Sequence, residues 1–156
     1  MVAAVPEPTL PVMANPRTYE RLRDPHLDPT VPYFNAGVLI IDLDSWRRAH
    51  VGERALSFIA QYRPALMDQD ALNAVVSGQW LELDPMWNTI TYWFRSRSRQ
   101  RRYSALLRRA RIVHYAGHRK PWLRAGVWEA ERWLQYRHQL SDNAPESISA
   151  RVHDAN

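Results

Sequence analysis

The sequence predicts an α/β fold, and three observations predict it. Tyr33 to Leu43 is a Val/Leu/Ile-rich run without polar alternation, the pattern of a strand covered on both faces in the middle of a sheet. Two stretches with helical spacing follow it, Val51 to Tyr62 and Asp68 to Ser77. Trp80 to Leu83 then alternates apolar and polar residues, as an edge strand does.

Val2 to Val5 is a small apolar run that fits one strand. Residues 1–30 then read as a meandering lead-in, because Pro6, Pro8, Pro11, Pro16, Pro25 and Pro29 fall within it. A turn of helix is expected at Tyr19 to Arg23, ended by Asp24-Pro25. After the central strand, Asp44 or Ser45 is expected to cap a helix carrying Trp46 on its first turn. In Val51 to Tyr62, Ala55, Leu56, Ile59 and Ala60 form the expected inward side, and Pro64 stops the helix. Asp68 is the expected N-cap of the next helix and Gly78 its C-terminal stop. Pro85 to Thr91 reads as loop. Arg95 to Arg111 reads as partly helical around Ala105 to Leu107, and Arg111 to His114 as a strand. Gly126 to His138 reads as a terminal helix with Val127, Ala130, Trp133 and Leu134 inward, followed by a frayed tail from Ser141. The organisation expected is thus a lead-in (1–30), a main part (31–125) and a C-terminal helix and tail (126–156).

Composition narrows the class. A chain of 156 residues with 46% hydrophobic and 24% charged residues can bury one core. It has no cysteine, which removes disulfides and thiolate zinc sites. Its apolar runs, the longest being Ala36 to Ile41, fall far short of the ~20 residues that span a bilayer. Met1 to Glu7 lacks the basic and apolar regions of a signal peptide, so a cytoplasmic location is expected. The net charge of +5 is concentrated between Trp93 and Arg111, where arginines crowd and acids are absent. With Trp93, Trp122, Trp128 and Trp133 in or after that block, an anionic membrane surface suits it. Single-stranded nucleic acid also suits it, and a solvated basic face with tryptophans in the core suits it as well as both together.

Three short stretches carry side chains with chemical use. His114-Tyr115-Ala116-Gly117-His118-Arg119-Lys120-Pro121-Trp122 offers an imidazole at a strand end, a glycine and a flexible ammonium. In that order they could serve as metal ligand, close backbone approach and phosphate cation. Taken alone, such residues more often make an ordinary Gly/Pro turn with a surface lysine and a satisfied histidine. Asn35 interrupts a strand start where asparagine is depleted, and so either ties down the preceding loop or touches a ligand. Asp68-Gln69-Asp70 gathers two carboxylates and an amide in one helical turn, which a helix N-terminus favours in any case.

Taken together and in sequence order, these stretches resemble the family 8 glycosyltransferases. The resemblance rests on Tyr33-Phe34-Asn35-Ala36-Gly37-Val38 with Ile41-Asp42-Leu43 and Trp46, then on Asp68-Gln69-Asp70 with Leu72-Asn73. It is completed by His114-Tyr115, Gly117 and Lys120-Pro121-Trp122. These are retaining, nucleotide-sugar-dependent enzymes, among them bacterial lipopolysaccharide galactosyl- and glucosyltransferases and glycogenin. The resemblance implies the C-terminal part of a nucleotide-diphospho-sugar transferase fold of the GT-A-like kind, with a mixed sheet. It implies transfer of a hexose from a UDP-sugar to a saccharide or lipid-linked glycan acceptor. It makes His114 a ligand of Mn²⁺ (or Mg²⁺), and Gly117 and Lys120 contacts to the diphosphate. Asn35 and Asp68 would lie around the donor sugar, with Gln69 beside its anomeric carbon.

The chemistry fits those roles. Departure of UDP builds negative charge on the diphosphate, which a metal ion and a lysine stabilise, and positive charge on the ring, which a carboxylate and an amide oxygen stabilise. Since Gln69 is uncharged, front-face transfer without a glycosyl-enzyme is expected. The N-terminal nucleotide-binding half and the Asp-x-Asp motif of the family are expected to be absent, because the chain reads as starting just after them. That leaves the metal site incomplete, and the isolated chain is expected to be poorly soluble. Two other classes stay open: a non-catalytic remnant or scaffold of the fold, and a basic module that binds membrane or, less favoured, nucleic acid. Peripheral contact with the inner membrane face suits the transferase reading too.

Overall fold

A computed structural model of the chain describes residues 2–10, 12–13, 28–94, 96–123, 127 and 129–142. The expected helical turn at Tyr19 to Arg23, and residues 126 and 128 of the expected terminal helix, lie outside the described residues, as does the tail from residue 143. The chain separates into two compact units, 1–114 and 115–156.

In the first unit, strand β1 (Val2–Pro6) lies between β2 (Phe34–Ile41) and β3 (Trp80–Glu82). It pairs antiparallel with β2 and parallel with β3, so the sheet is mixed. The central strand is therefore β1, whose Val2, Ala4 and Val5 are buried, and not the Val/Leu/Ile run of β2. In β2, Ile40 is 62% exposed, which corrects the expectation of burial on both faces. An uninterrupted apolar run reports hydrophobicity but not strand order, and here the N-terminal segment inserts beside it. The β1–β2 register is broken: Val5 faces Asn35, whereas Ala4 faces Leu39. Residues 36–38 are thereby left out of the ladder, in a bulge that turns their backbone groups to other partners.

Helix α1 (Leu43–Arg48) follows β2. Its cap is Asp42, which accepts from the Ser45 N–H at 3.2 Å and from the Ser45 hydroxyl. The expected caps Asp44 and Ser45 instead lie inside the helix, where Asp44 pairs with Arg47 at 3.7 Å. The Ser45 donors hold the Asp42 carboxyl down at about 2.

Helix α2 (Val51–Tyr62) buries Val51, Ala55 and Phe58, and it ends at Arg63 in the left-handed conformation (φ 46°) before Pro64. Leu56 is 69% exposed, and Ala60 is exposed too, so the buried stripe is rotated from the expected one. The large ring of Phe58 sets the inward direction, since it buries more apolar area than Leu56 and Ala60 could on the neighbouring face.

Helix α3 (Met67–Val76) begins earlier than expected, with Leu66 as N-cap and Asp68 already inside the first turn. Ser77 ends it in the left-handed conformation and Gly78 follows at φ +76°. The two helices pack on the sheet through two clusters. One joins Met13, Tyr33, Ala55, Phe58 and Ala71; the other joins Val2, Ala4, Phe34, Val51 and Val76. Leu72 and Val75 of α3 pack against both. Phe34 also meets Trp80 of β3 edge-on, with ring centroids 5.3 Å apart.

Beyond β3, Asp84 caps a 3₁₀ helix (Pro85–Asn88), and β4 (Thr89–Ile90) follows directly, so the expected loop is structured. A second 3₁₀ turn (Thr91–Phe94) leads into α4 (Arg97–Arg109), capped by Ser96. The arginine block is helical throughout that range rather than only around its leucines. Strand β5 (Val113–His114) pairs parallel with β4, bringing His114 opposite Ile90.

In the second unit, residues 121–123 form a turn and α5 (Ala130–Asp142) follows. Trp122 and Trp133 lie 5.6 Å apart between ring centroids. Leu134 is 41% exposed, against the expectation that it faces inward. Among the described residues, no helix is long and apolar enough to cross a membrane.

Candidate active site

The site is built where the first turns of α3 meet the start of β2. Asn73 uses its side chain as a strand would use its backbone. Its Oδ1 accepts the Phe34 N–H at 2.8 Å, and its Nδ2 donates to the Phe34 carbonyl at 2.9 Å and to the Gln69 carbonyl at 2.8 Å. Beside it, the fully buried Asp70 accepts from the Tyr33 hydroxyl at 2.5 Å and from the Leu66 N–H at 2.8 Å. Burial first, and then the Asp70 carboxylate, hold the Tyr33 hydroxyl well above the ordinary tyrosine value. Asp70 and Asn73 thus pin the helix to the strand, with Gln69 on the same turn.

Gln69 then reaches the bulge of β2. Its Oε1 accepts from the Ala36 N–H at 3.1 Å and from Asn35 Nδ2 at 3.0 Å. Asn35, 5% exposed, donates from the same nitrogen to Glu7 Oε2 at 3.1 Å. Its Oδ1 accepts the Gly37 N–H at 3.0 Å and the Asn88 Nδ2 at 2.8 Å. Asn88, fully buried at the end of its 3₁₀ helix, faces His114 with its other end: Asn88 Oδ1 lies 3.0 Å from His114 Nδ1. The imidazole occupies the space over Gly37, where an added Cβ would fall 2.0 Å from His114 Cε1. Glu7, 1% exposed, also accepts from the Thr9 N–H, the Thr9 hydroxyl and the Tyr92 hydroxyl. With Asn35 these make four donors among the described residues, which satisfies the buried carboxylate.

Of the residues singled out from sequence, the fold brings Asn35, Gln69 and His114 into one hydrogen-bonded cluster. Asp68 stands beside it, exposed on the first turn of α3, its carboxylate without a hydrogen bond to another described residue. Gly117 and Lys120 belong to the second unit. Gly117 has φ +75°, and among the described residues nothing lies within 4 Å of the point to which a Cβ would project, so a group can approach its backbone. Lys120 Nζ donates to the Tyr115 carbonyl at 2.5 Å and sits 5.6 Å from the Trp122 ring centroid.

Sequence reasoning missed Glu7, Asn88 and Tyr92 as members of the cluster. Glu7 and Asn88 are polar residues that terminate elements, and only the fold shows them to be buried. His114 is the one residue that the resemblance assigns to a metal ion. Among the described residues no group of three or more His, Asp or Glu side chains gathers as a metal site. A Mn²⁺ or Mg²⁺ ion wants about six mainly oxygen ligands, so the described side chains do not complete such a site.

The chain is 37% identical over 114 residues to General stress protein A of Bacillus subtilis, covering 67% of this chain and 40% of that protein. It is 31% identical over 140 residues to Lipopolysaccharide 1,2-glucosyltransferase of Escherichia coli, covering 86% of this chain and 40% of that protein. The chain thus spans about two fifths of the length of these curated relatives. Among solved structures it is similar to the galactosyltransferase LgtC in complex with donor and acceptor sugar analogues. The TM-score is 0.66 at 26% identity, over 96% of this chain and 55% of that one. The bifunctional glycosyltransferase WbbM shares the fold at TM-score 0.67 and 18% identity, over 86% of this chain and 27% of that one. Residues 2–126 match the family description Glycosyl transferase family 8, and the chain belongs to that family.

Proposed function

We propose that the chain forms the sugar-side part of a retaining hexosyltransferase site, which takes a hexose from a UDP-sugar to a saccharide or lipid-linked glycan acceptor. One observation carries this reading. Asn35, Gln69 and His114, from a strand, a helix and a second sheet, converge on the bulge of β2 through direct bonds and one shared partner, Asn88. Family membership and the likeness to LgtC, which was solved with donor and acceptor sugar analogues, support the donor sugar as the occupant.

In this reading His114 stands at the diphosphate end and gives one ligand to Mn²⁺ or Mg²⁺, which would neutralise the leaving group. Gly117 and Lys120 contact the phosphates, the first by leaving its backbone bare and the second by its charge. Asn35 and Asp68 hold the hexose. Gln69 lies beside the anomeric carbon, and its Oε1 already accepts two N–H bonds. An amide oxygen so engaged is a weak nucleophile, which supports front-face transfer over a glycosyl-enzyme. Rigidity is its contribution: a fixed dipole near the ring stabilises developing positive charge without reorganising. The arginine-rich helix α4 and the aromatic residues of the second unit suit peripheral contact with an anionic membrane surface at its cytoplasmic face.

The test is an equilibrium titration of the folded chain with UDP-glucose and UDP-galactose in the presence of Mn²⁺, repeated with His114→Ala and Gln69→Ala. Binding weakened by both substitutions is expected. Binding indifferent to both, or none by a folded chain, would contradict the reading.

A further inference from the structure

The hydrogen-bond cluster has a direction, because two backbone N–H groups anchor it and neither can turn round. Gly37 N–H points at one end of the Asn35 amide, which must therefore be the oxygen. The other end is then nitrogen, in agreement with its placement 3.1 Å from the Glu7 carboxylate and 3.0 Å from Gln69 Oε1. Gln69 Oε1 is fixed independently as an acceptor by the Ala36 N–H. Since Asn35 offers oxygen to Asn88, Asn88 must answer with Nδ2, at 2.8 Å. Its own oxygen is thereby turned to His114 Nδ1, 3.0 Å away. An amide oxygen can only accept, so Nδ1 must carry the proton.

We propose that Asn88 is a positioning residue that holds neutral His114 as its Nδ1–H tautomer, placing the lone pair on Nε2. Neutral histidine in water prefers the opposite tautomer, so the protein is setting an uncommon state. Gly37 and Glu7 hold the direction of the relay from Asn35, and Asn88 passes it on while fully buried. The consequence for chemistry is the choice of atom: Nε2, rather than Nδ1, is the nitrogen able to accept a proton, a hydrogen bond or a metal ion. This rests on and deepens the reading of His114 as a donor-site residue, yet it is tested without donor, acceptor or metal.

The measurement is the long-range ¹H–¹⁵N correlation pattern of the His114 ring in the metal-free full chain. It is recorded about two pH units above the ordinary histidine value so that the ring is neutral, and assigned by comparison with His114→Gln. The wild-type ring is expected to show a protonated Nδ1 and an unprotonated Nε2. In Asn88→Ala the pattern is expected to move to protonated Nε2. In Asn88→Asp, whose carboxylate still accepts from the ring though it no longer donates to Asn35 Oδ1, the ring is expected to keep Nδ1–H. A wild-type ring protonated at Nε2 overturns the proposal, whether or not the chain binds UDP-sugars. So does an Asn88→Ala ring that keeps Nδ1–H. If Asn88→Ala does not fold, the wild-type and Asn88→Asp spectra decide.

Discussion

His114 occupies the space that a side chain at Gly37 would need: a Cβ there would lie 2.0 Å from Cε1 and 2.6 Å from Nδ1 of the imidazole. Gly37 is not in a left-handed conformation, so the glycine is required by close approach and not by backbone geometry. Gly37→Ala should therefore push the ring off Asn88. The expected outcome is a loss of UDP-hexose affinity of about ten- to a hundredfold, the scale of losing an outer partner of a site residue. A stability loss of about 1–3 kcal/mol from overpacking should accompany it. Titration and thermal melting of the variant check the two effects separately.

Asn73 should matter for the frame and not for the chemistry. Asn73→Ala removes the partner of both the N–H and the carbonyl of the buried Phe34. Each buried backbone group left unpaired costs about 1–3 kcal/mol. Denaturant unfolding should show the loss. Asn73→Asp should be damaging as well, since a carboxylate cannot donate to the Phe34 carbonyl.

Asn35, Gln69 and His114 are visible in the sequence through short motifs whose residues lie close along the chain. Each stretch alone fits an ordinary structural part, and it is their order along the chain, resembling that of the family, that marks these three residues. Glu7 and Tyr92, by contrast, bond across 85 positions of chain, and Glu7 and Asn35 across 28. No local pattern encodes those meetings. The same holds for strand order: the Val/Leu/Ile run of β2 is legible as a strand, but its edge position depends on where Val2–Pro6 inserts. At α1, three capping-competent residues, Asp42, Asp44 and Ser45, lie within four positions. The choice of Asp42 follows from the place where β2 releases the chain. The inward face of α2 is displaced from the expected one because Leu56 and Ala60 compete with Phe58 for the same pattern.

Tyr33 predicts an alkaline signature. Its hydroxyl is held above the ordinary value of 10.0 by burial and by Asp70, so the folded state keeps a proton that the unfolded chain releases. The stabilisation is then intact below pH 10.0 and is lost as pH rises above it. Melting curves from neutral to strongly alkaline pH should show this loss in the wild type and a smaller one in Tyr33→Phe. Tyr33→Phe should also be less stable at neutral pH, because Asp70 loses a buried donor.

Asp42 predicts the opposite limb. With its carboxyl held at about 2 by the Ser45 donors, its contribution is present above the ordinary value of 3.8 and is lost as pH falls toward about 2. The group is fully exposed, so the effect should be small and weakened by salt. Asp42→Ala should lower the melting temperature near neutral pH and flatten its acid dependence. Asp42→Asn should retain most of the cap.

Whether Asn35, Gln69 and His114 form one donor-sugar site is decided by amide and side-chain chemical-shift mapping of the ¹⁵N-labelled chain with UDP-hexose and Mg²⁺. Perturbations should converge on Asn35, Ala36, Gly37, Gln69 and His114, and should weaken in Gln69→Ala. Perturbations confined to the arginine helix Arg97–Arg109, with those five residues unmoved, would show that the sugar nucleotide does not bind there.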